Sequence, residues 1–343
     1  MEILSSFQNP GGFFKKEELN WGVLGTARIA EKSVIPAIKA TKNNNVVAVA
    51  SRNLTRASEF AQAMEIPKAY GSYDELLADP NVQAVYIPLP NSEHAPWAIK
   101  AMEAGKHVLV EKPFALNADE AQLMISTSLE HSVVLVEGFM YRYNSRFNKI
   151  MELIRHGNLG KLRFIESSFS FALTNPDDIR LTSNLGGGVL YDLGCYCVNF
   201  QRLLVGREPK LVQALCHEGN TGVDLQMTAT MDFGELVYTH FDIAFNAAGQ
   251  QSTRITGTEG VLEINQPFNT NGEGTQAWLT KSGETKKLSF RGEDDYRKMV
   301  EHFYYVVVSK EAPLFPLSDA LNNMVVMDAL YQSAIDGGRL VSL

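Results

Sequence analysis

The sequence predicts an α/β chain: a doubly wound parallel sheet comes first, followed by an α+β part built on a largely antiparallel open sheet. Three observations predict it. At 343 residues and 45% hydrophobic, the chain can bury a sizeable core and is long enough for about two domains. From Trp21 to Glu137, short runs rich in Val and Ile alternate with helical patterns, which is the rhythm of parallel strands joined by crossover helices. After Phe139 longer alternating runs follow one another without a helix between each pair, as in antiparallel strands with one solvated face. The expected division is an extension over residues 1–20, a first domain over 21–138 and an α+β domain over 139–343, with the last helix packing back on the first domain.

The elements follow in order. Met1 to Asn20 is polar and lacks the basic start and apolar core of an export signal, so it reads as an extension. The parallel strands are the runs Trp21-Leu24, Val46-Ala50, Ala84-Ile87, His107-Val110 and Val133-Val136. Asn53 is placed to cap "LTRASEFAQAM", and Ser72 with Glu75 frames a capping box before "LLADP". A helix "RFNKIMELIRHG" ends at Gly157. The runs "KLRFIESSFSF", "LQMTATMDF", "LVYTHFDIAF" and "GVLEI" then supply the second sheet, and two helices, from Asp294 and from the cap Ser318, close the chain.

The formal charge of -8 is scattered, with no basic run interleaved with aromatics, which argues against nucleic-acid and anionic-membrane partners. No apolar stretch reaches the roughly 18 residues of a membrane span. The 3 cysteines, Cys195, Cys197 and Cys216, are odd in number, and the first two are too close in sequence to pair, so a reducing cytoplasm is expected. A Cys-x-Cys pair without a second Cys/His cluster leaves no metal site to expect.

At the mouth of the first helix stands "GTARIA": Gly25, Thr26, Ala27, Arg28, Ile29 and Ala30. It is a relaxed Gly-x-Gly-x-x-Gly, weak as a motif and given meaning by its place after the first strand, where helix N–H groups favour a pyrophosphate. A small-residue packing turn is the bland alternative. The second strand ends without the Asp or Glu that accepts from a ribose 2′-OH. It carries Ser51 and Arg52 instead, with Arg56 one turn on, and these suit a 2′-phosphate, so NADP is expected before NAD.

Beyond the third run, Leu89, Pro90 and Asn91 leave the strand, and a helix starts near Glu93 with His94 in its first turn, at the carboxyl edge of the sheet where ligands of such sheets bind, so these residues are candidates to meet the cofactor. The next strand ends at that edge in Glu111-Lys112-Pro113. Taken alone, the two charges also suit a solvated strand end. In "LGGGVLYDLGCYCVNF" Asp192 and Tyr196 stand four positions apart, on one face of a helix that has begun by Tyr191. An early-turn acid and a packing aromatic would look the same.

Together "GTARIA", "AVASR", "VLVEKPFALNADEA", "EGFMYRYN", "IRL...LGGGVLYDLGCYCVN" and "ITGTEGVLEI" resemble the glucose-fructose oxidoreductase/inositol dehydrogenase (Gfo/Idh/MocA) family over nearly the whole chain from Trp21. The resemblance is to the branch with NADP-dependent xylose dehydrogenases, dihydrodiol dehydrogenases and deoxysugar ketoreductases. It implies a Rossmann domain and hydride transfer between nicotinamide C4 and a carbon of a sugar, keto-sugar or cyclic diol. Inositol-dehydrogenase-like members carry His at the position of Tyr196, which points away from inositol. Carried over by motif, Lys112 and Tyr196 stand near the reacting oxygen. Tyr196 is the expected acid/base, Lys112 the cation favouring its anion, and Asp192 a positioning group. Glu111 anchors the loop or meets the nicotinamide ribose, and Arg142 and Arg180 are candidates for substrate or cofactor contact. The open sheet implies a homodimer or homotetramer. A non-catalytic NADP-binding regulator of the same superfamily is the alternative, and retention of both Lys112 and Tyr196 counts against it.

Overall fold

The computed structural model describes residues 17–343. The first sheet is parallel and holds six strands, β1 (Leu19–Leu24), β2 (Asn44–Ala50), β3 (Lys68–Tyr70), β4 (Ala84–Ile87), β5 (His107–Val110) and β6 (Leu135–Glu137), in the order β3-β2-β1-β4-β5-β6. The order reverses between β1 and β4, which opens a ligand crevice at the carboxyl ends of those strands. Leu19 and Asn20, expected in the extension, are strand residues: Leu19 pairs with Asn44 and is buried. The expected extension as far as Lys16 lies outside the described residues.

Helices α1 (Ile35–Ala40), α2 (Leu54–Ala63), α3 (Tyr73–Leu77), α4 (His94–Glu103) and α5 (Ala118–Glu130) cross between these strands. Their starts are set by side chains that accept orphan N–H groups. Asn53 Oδ1 accepts from Arg56 N at 3.1 Å, and Ser72 Oγ accepts from Glu75 N at 3.1 Å. The capping box does not close on itself, because Glu75 turns back one residue farther and accepts from Gly71 N at 3.1 Å.

The second sheet has nine strands and one face covered. Helix α6 (Ser145–Arg155) leads into β7 (Leu162–Ser170), and helix α7 (Cys195–Val205) precedes β8 (Leu211–Glu218), β9 (Asp224–Asp232), β10 (Tyr238–Ala244), β11 (Gln250–Gly257), β12 (Gly260–Asn265), β13 (Thr275–Lys281) and β14 (Glu284–Phe290). Helices α8 (Asp295–Val308) and α9 (Leu317–Ile335) follow, and the short β15 (Val341–Ser342) pairs with β8. All neighbours are antiparallel except β7 and β10, which run parallel at the centre. Helices α7 and α9 cover one face, whereas Phe164, Tyr238, Asp242, Arg254 and Glu263 stand exposed on the other.

Two late helices return to the first sheet. Helix α8 packs against α1, with Phe303 on Trp21 at a ring separation of 4.6 Å. Helix α9 packs against α5, where Asp328 Oδ2 accepts from Ala118 N at 2.8 Å. No helix among the described residues is long and apolar enough to cross a membrane.

Candidate active site

The crevice is built first at the β1 turn. Gly25 has φ +105°, and a Cβ there would meet Leu89 Cδ2 at 2.9 Å, so only glycine lets the chain turn this tightly beside the β4 loop. Thr26 to Ile29 then enter a π-helical turn, Ala30–Val34, that continues into α1. π turns concentrate at functional sites because the extra residue re-aims the groups around it. At the end of β2, Ser51 is buried and Arg52 and Arg56 are exposed. Burial raises the pKa of the nearby Tyr73 hydroxyl, with Glu93 adding to the rise, while Arg52 and Arg56 pull it down. Two guanidinium groups beside a buried serine, with no carboxylate on the strand end, fit a 2′-phosphate; the positive-φ turn and the helix mouth fit the pyrophosphate.

The β4 and β5 loops face this turn. His94, expected to meet the cofactor, does not reach the crevice. It is buried, with Nδ1 2.8 Å from Pro113 O and Nε2 2.9 Å from Leu89 O, and burial pushes its pKa down to about 4. A neutral imidazole carries one N–H, so the ring donates to one of these two carbonyl oxygens at a time, and it is packed between the two loops with neither nitrogen turned to the crevice. Asn91 faces the other way across the cleft, donating from Nδ2 to Gly186 O at 2.7 Å. Glu111 is buried and accepts from Tyr86 Oη at 2.7 Å; burial raises its pKa although that hydrogen bond and Lys112 lower it. Tyr86 is a functional neighbour that the sequence reading missed. Its signal was a polar aromatic inside the otherwise aliphatic run Ala84-Val85-Tyr86-Ile87.

Lys112 meets Asp192 across the crevice. Nζ donates to Asp192 Oδ1 at 2.7 Å and to Asp192 O at 2.9 Å. The two side chains are 15% and 14% exposed, enough for a small molecule to reach them. Burial pulls the Lys112 pKa down, but Asp192, Cys195 and Glu111 outweigh it and the net shift is upward. For Asp192, burial pushes up, and Lys112 and Arg180 bring it below its ordinary value. Each partner therefore keeps its charge at neutral pH. Asp192 sits in a second π turn, Leu190–Gly194, ahead of α7, so Asp192 and Tyr196 are not on the regular helical face that the four-residue spacing suggested.

Tyr196 lies under the cation. Lys112 Nζ is 5.1 Å from its ring centroid, a cation–π contact, while Phe139, Phe169 and Phe268 surround the ring at 5.1, 5.9 and 5.6 Å. Among the described residues the hydroxyl has one weak partner, Met140 Sδ at 3.6 Å. Burial holds its pKa well above that of a free phenol, with Tyr296, Glu111, Cys195 and Asp192 adding to the effect. This departs from the expectation that Lys112 favours the tyrosinate: the ammonium donates to Asp192 and meets Tyr196 over its ring.

Arg142 and Arg180 part company. Arg142 is 3% exposed, bonded to Asn199 Oδ1 at 2.8 Å, Glu137 Oε2 at 3.3 Å and Asp319 Oδ2 at 3.1 Å, and held between the rings of Phe139 and Phe315. It is sealed away from any substrate and ties α7 and α9 to the end of β6. Arg180 stays at the cleft, donating from Nε to Asp192 Oδ2 at 2.8 Å. Among the described residues no group of three or more His, Cys, Asp or Glu is placed to hold a metal ion.

This geometry can be set beside known proteins. The model of the oxidoreductase family with an NAD-binding Rossmann fold, GFO_IDH_MocA, matches residues 19–139, and that of the GFO/IDH/MocA C-terminal domain matches residues 147–263. The chain belongs to the GFO/IDH/MocA oxidoreductase family. Among its relatives, D-xylose 1-dehydrogenase (NADP(+)) 2 of Haloferax volcanii is 37% identical over 93% of this chain and 98% of its own. Trans-1,2-dihydrobenzene-1,2-diol dehydrogenase of Xenopus laevis is 30% identical over 90% of this chain and 96% of its own. Among solved structures, a 3-ketoreductase from Actinomadura kijaniata in complex with NADP and TDP-benzene superimposes with a TM-score of 0.89. It is 27% identical and covers 92% of this chain and 98% of that one.

Proposed function

We propose that the protein is an NADP-dependent oxidoreductase that moves a hydride between the cofactor and a carbon of a sugar, keto-sugar or cyclic diol. The observation that carries this is the Lys112–Asp192 ion pair at the switch-point edge, with Tyr196 stacked beneath it. Relatives and a structural neighbour named for NADP, xylose, a dihydrodiol and a keto group support the class. When bound, the nicotinamide supplies or accepts the hydride, which is the cofactor's own chemistry. Tyr196 gives its proton to the oxygen of a carbonyl being reduced and takes it back in oxidation. Lys112 places positive charge beside the developing alkoxide, and Asp192 fixes where that charge sits. Arg52, Arg56 and Ser51 hold the 2′-phosphate, and Gly25 to Ile29 hold the pyrophosphate. The same reading includes assembly through the open face of the second sheet, and a reducing cytoplasm suits the unpaired Cys195, Cys197 and Cys216.

The test is a screen of aldoses, nucleotide-linked keto-sugars and dihydrodiols for absorbance change with NADP, repeated with Tyr196→Phe and Lys112→Met. Each substitution is expected to lower turnover by roughly 10²- to 10⁴-fold, with little change in NADPH affinity. The double substitution should cost much less than the product of the single losses, because the two side chains act as a unit. Full activity in Tyr196→Phe rejects the proton-transfer role.

A further inference from the structure

The sequence put Arg180 among the possible substrate contacts. The geometry points to a different role: Arg180 is a positioning residue that acts through Asp192 to hold Lys112 in place. This rests on the proposed catalytic roles of Lys112, Asp192 and Tyr196. Asp192 divides its two oxygens between two cations, with Oδ1 on Lys112 Nζ at 2.7 Å and Oδ2 on Arg180 Nε at 2.8 Å. A carboxylate held at one oxygen pivots; one held at both has a fixed plane. Arg180 is itself held, since Asp178 accepts from its Nη1 at 3.2 Å through each oxygen and from its backbone N at 3.0 Å.

The glycine run explains how the arginine comes to be there. Gly188 N donates to Arg180 O at 2.9 Å. At Gly187 a Cβ would stand 2.9 Å from the Arg180 carbonyl carbon and 2.9 Å from Thr182 N, so only glycine lets these two strands of loop lie so close. From the cofactor side, Asn91 holds Gly186 O. The loop is thus pinned on both sides of the crevice, and the arginine is the group it delivers to Asp192.

The charged and titratable groups around this centre give the test its sign. Lys112 and Arg180 face Asp192 from the β5 end and the loop, the Cys195 thiol donates to Asp192 O at 3.7 Å, and Glu111 faces Lys112 from the other side. Burial pushes Asp192 up, and the two cations hold it below its ordinary value. Without Arg180 its pKa rises, so the acid limb of activity, which needs the carboxylate ionised, moves to higher pH.

The experiment measures pH profiles of kcat and KM for Arg180→Met, Arg180→Lys and Lys112→Met with a substrate found in the screen. Arg180→Met is expected to lower kcat about 10-fold, leave KM within about 2-fold and raise the acid limb by about one pH unit. Arg180→Lys, which keeps a charge near Asp192, should restore most of the rate and the limb. A raised KM with kcat and limb unchanged in Arg180→Met would make Arg180 a substrate contact and overturn the proposal. If Arg180→Met does not fold, Asp178→Asn loosens the guanidinium without removing it and should shift the limb the same way by less; an unmoved limb there also overturns it. Activity surviving in Lys112→Met defeats the catalytic reading itself, whereas an inactive Lys112→Met beside a wild-type-like Arg180→Met defeats the inference alone.

Discussion

At the scale of the residue, Tyr196 holds its proton more firmly than a free phenol, and Lys112 does not change that because its ammonium is spent on Asp192. In reduction the donor must be protonated, so activity is lost only as pH rises through the pKa of Tyr196, which burial places above the usual value of about 10. Single-turnover reduction should therefore show no alkaline limb below about pH 9; a limb near neutrality would mean that the lysine swings onto the phenol once substrate is bound. Arg52 works at the other end of the crevice. Charge-assisted hydrogen bonds contribute roughly 1.5–3 kcal/mol, so Arg52→Ala should weaken NADPH binding about 10- to 100-fold and leave NADH nearly untouched. Fluorescence titration of both cofactors checks this, and tighter NADH than NADPH binding in the unaltered protein sinks it. His94 and Arg142 were misread for one reason: a sequence shows that a cationic or imidazole side chain exists, and not that Leu89 O and Pro113 O, or Glu137 and Asp319, already occupy it.

At the scale of the element, the turn that carries Asp192 is held from outside. Asp224, at the start of β9, accepts from Leu190 N at 2.8 Å through Oδ2 and from Tyr331 Oη of α9 at 3.0 Å through Oδ1. Burial raises its pKa to about 6. With an unfolded value near 3.9, the native state binds more protons between about pH 4 and 6, and stability falls as pH rises through that window. Asp224→Asn keeps an oxygen for Leu190 and cannot ionise, so urea unfolding at pH 4.5 and 7 should show a shallower loss than in the unaltered protein. Asp224→Ala leaves two buried donors without an acceptor and should cost about 2 kcal/mol, lowering kcat as the π turn loosens. Equal slopes for Asp224→Asn and the unaltered protein would remove Asp224 as a titrating anchor. What the sequence made legible among elements was the repeating apolar strand of the first sheet. The edge strand β3 has 3 residues, too short for a period, and β14 is exposed along most of its length, so it shows no alternation. The π turns leave no mark either, since one inserted residue does not disturb the apolar spacing on each side. The Lys112–Asp192 pair spans 80 positions and became legible through family motifs, not through spacing.

At the scale of the whole molecule, the second sheet presents a face that no helix of the described chain covers. In register across it stand Phe164 opposite Tyr238, and Glu166 flanked by His240 and Arg254, with Arg254 in turn opposite Glu263. Phe164 is 51% and Tyr238 41% exposed, an aromatic pair set beside a row of mixed charge. A two-fold interface brings a surface against itself, so it needs both signs of charge on the same patch, and this row supplies Arg254 among Glu166, Glu263 and Asp242. An antiparallel sheet can leave one face to water, but two large aromatic side chains in register at the sheet centre favour burial by a second copy. Light scattering at micromolar concentration is expected to show at least a dimer. Replacing Phe164 and Tyr238 together by Glu places like charges opposite one another and should give a monomer, destabilised by that cross-strand repulsion by roughly 1 kcal/mol and no more, since neither side chain is part of the core. Because Gly25 to Ile29, Ser51, Arg52 and Arg56 belong to the turns of the first sheet in the same chain, that monomer should still bind NADPH with unchanged affinity. A monomer at every concentration of the unaltered protein, or a dimer that survives the double substitution, would place the interface on another face.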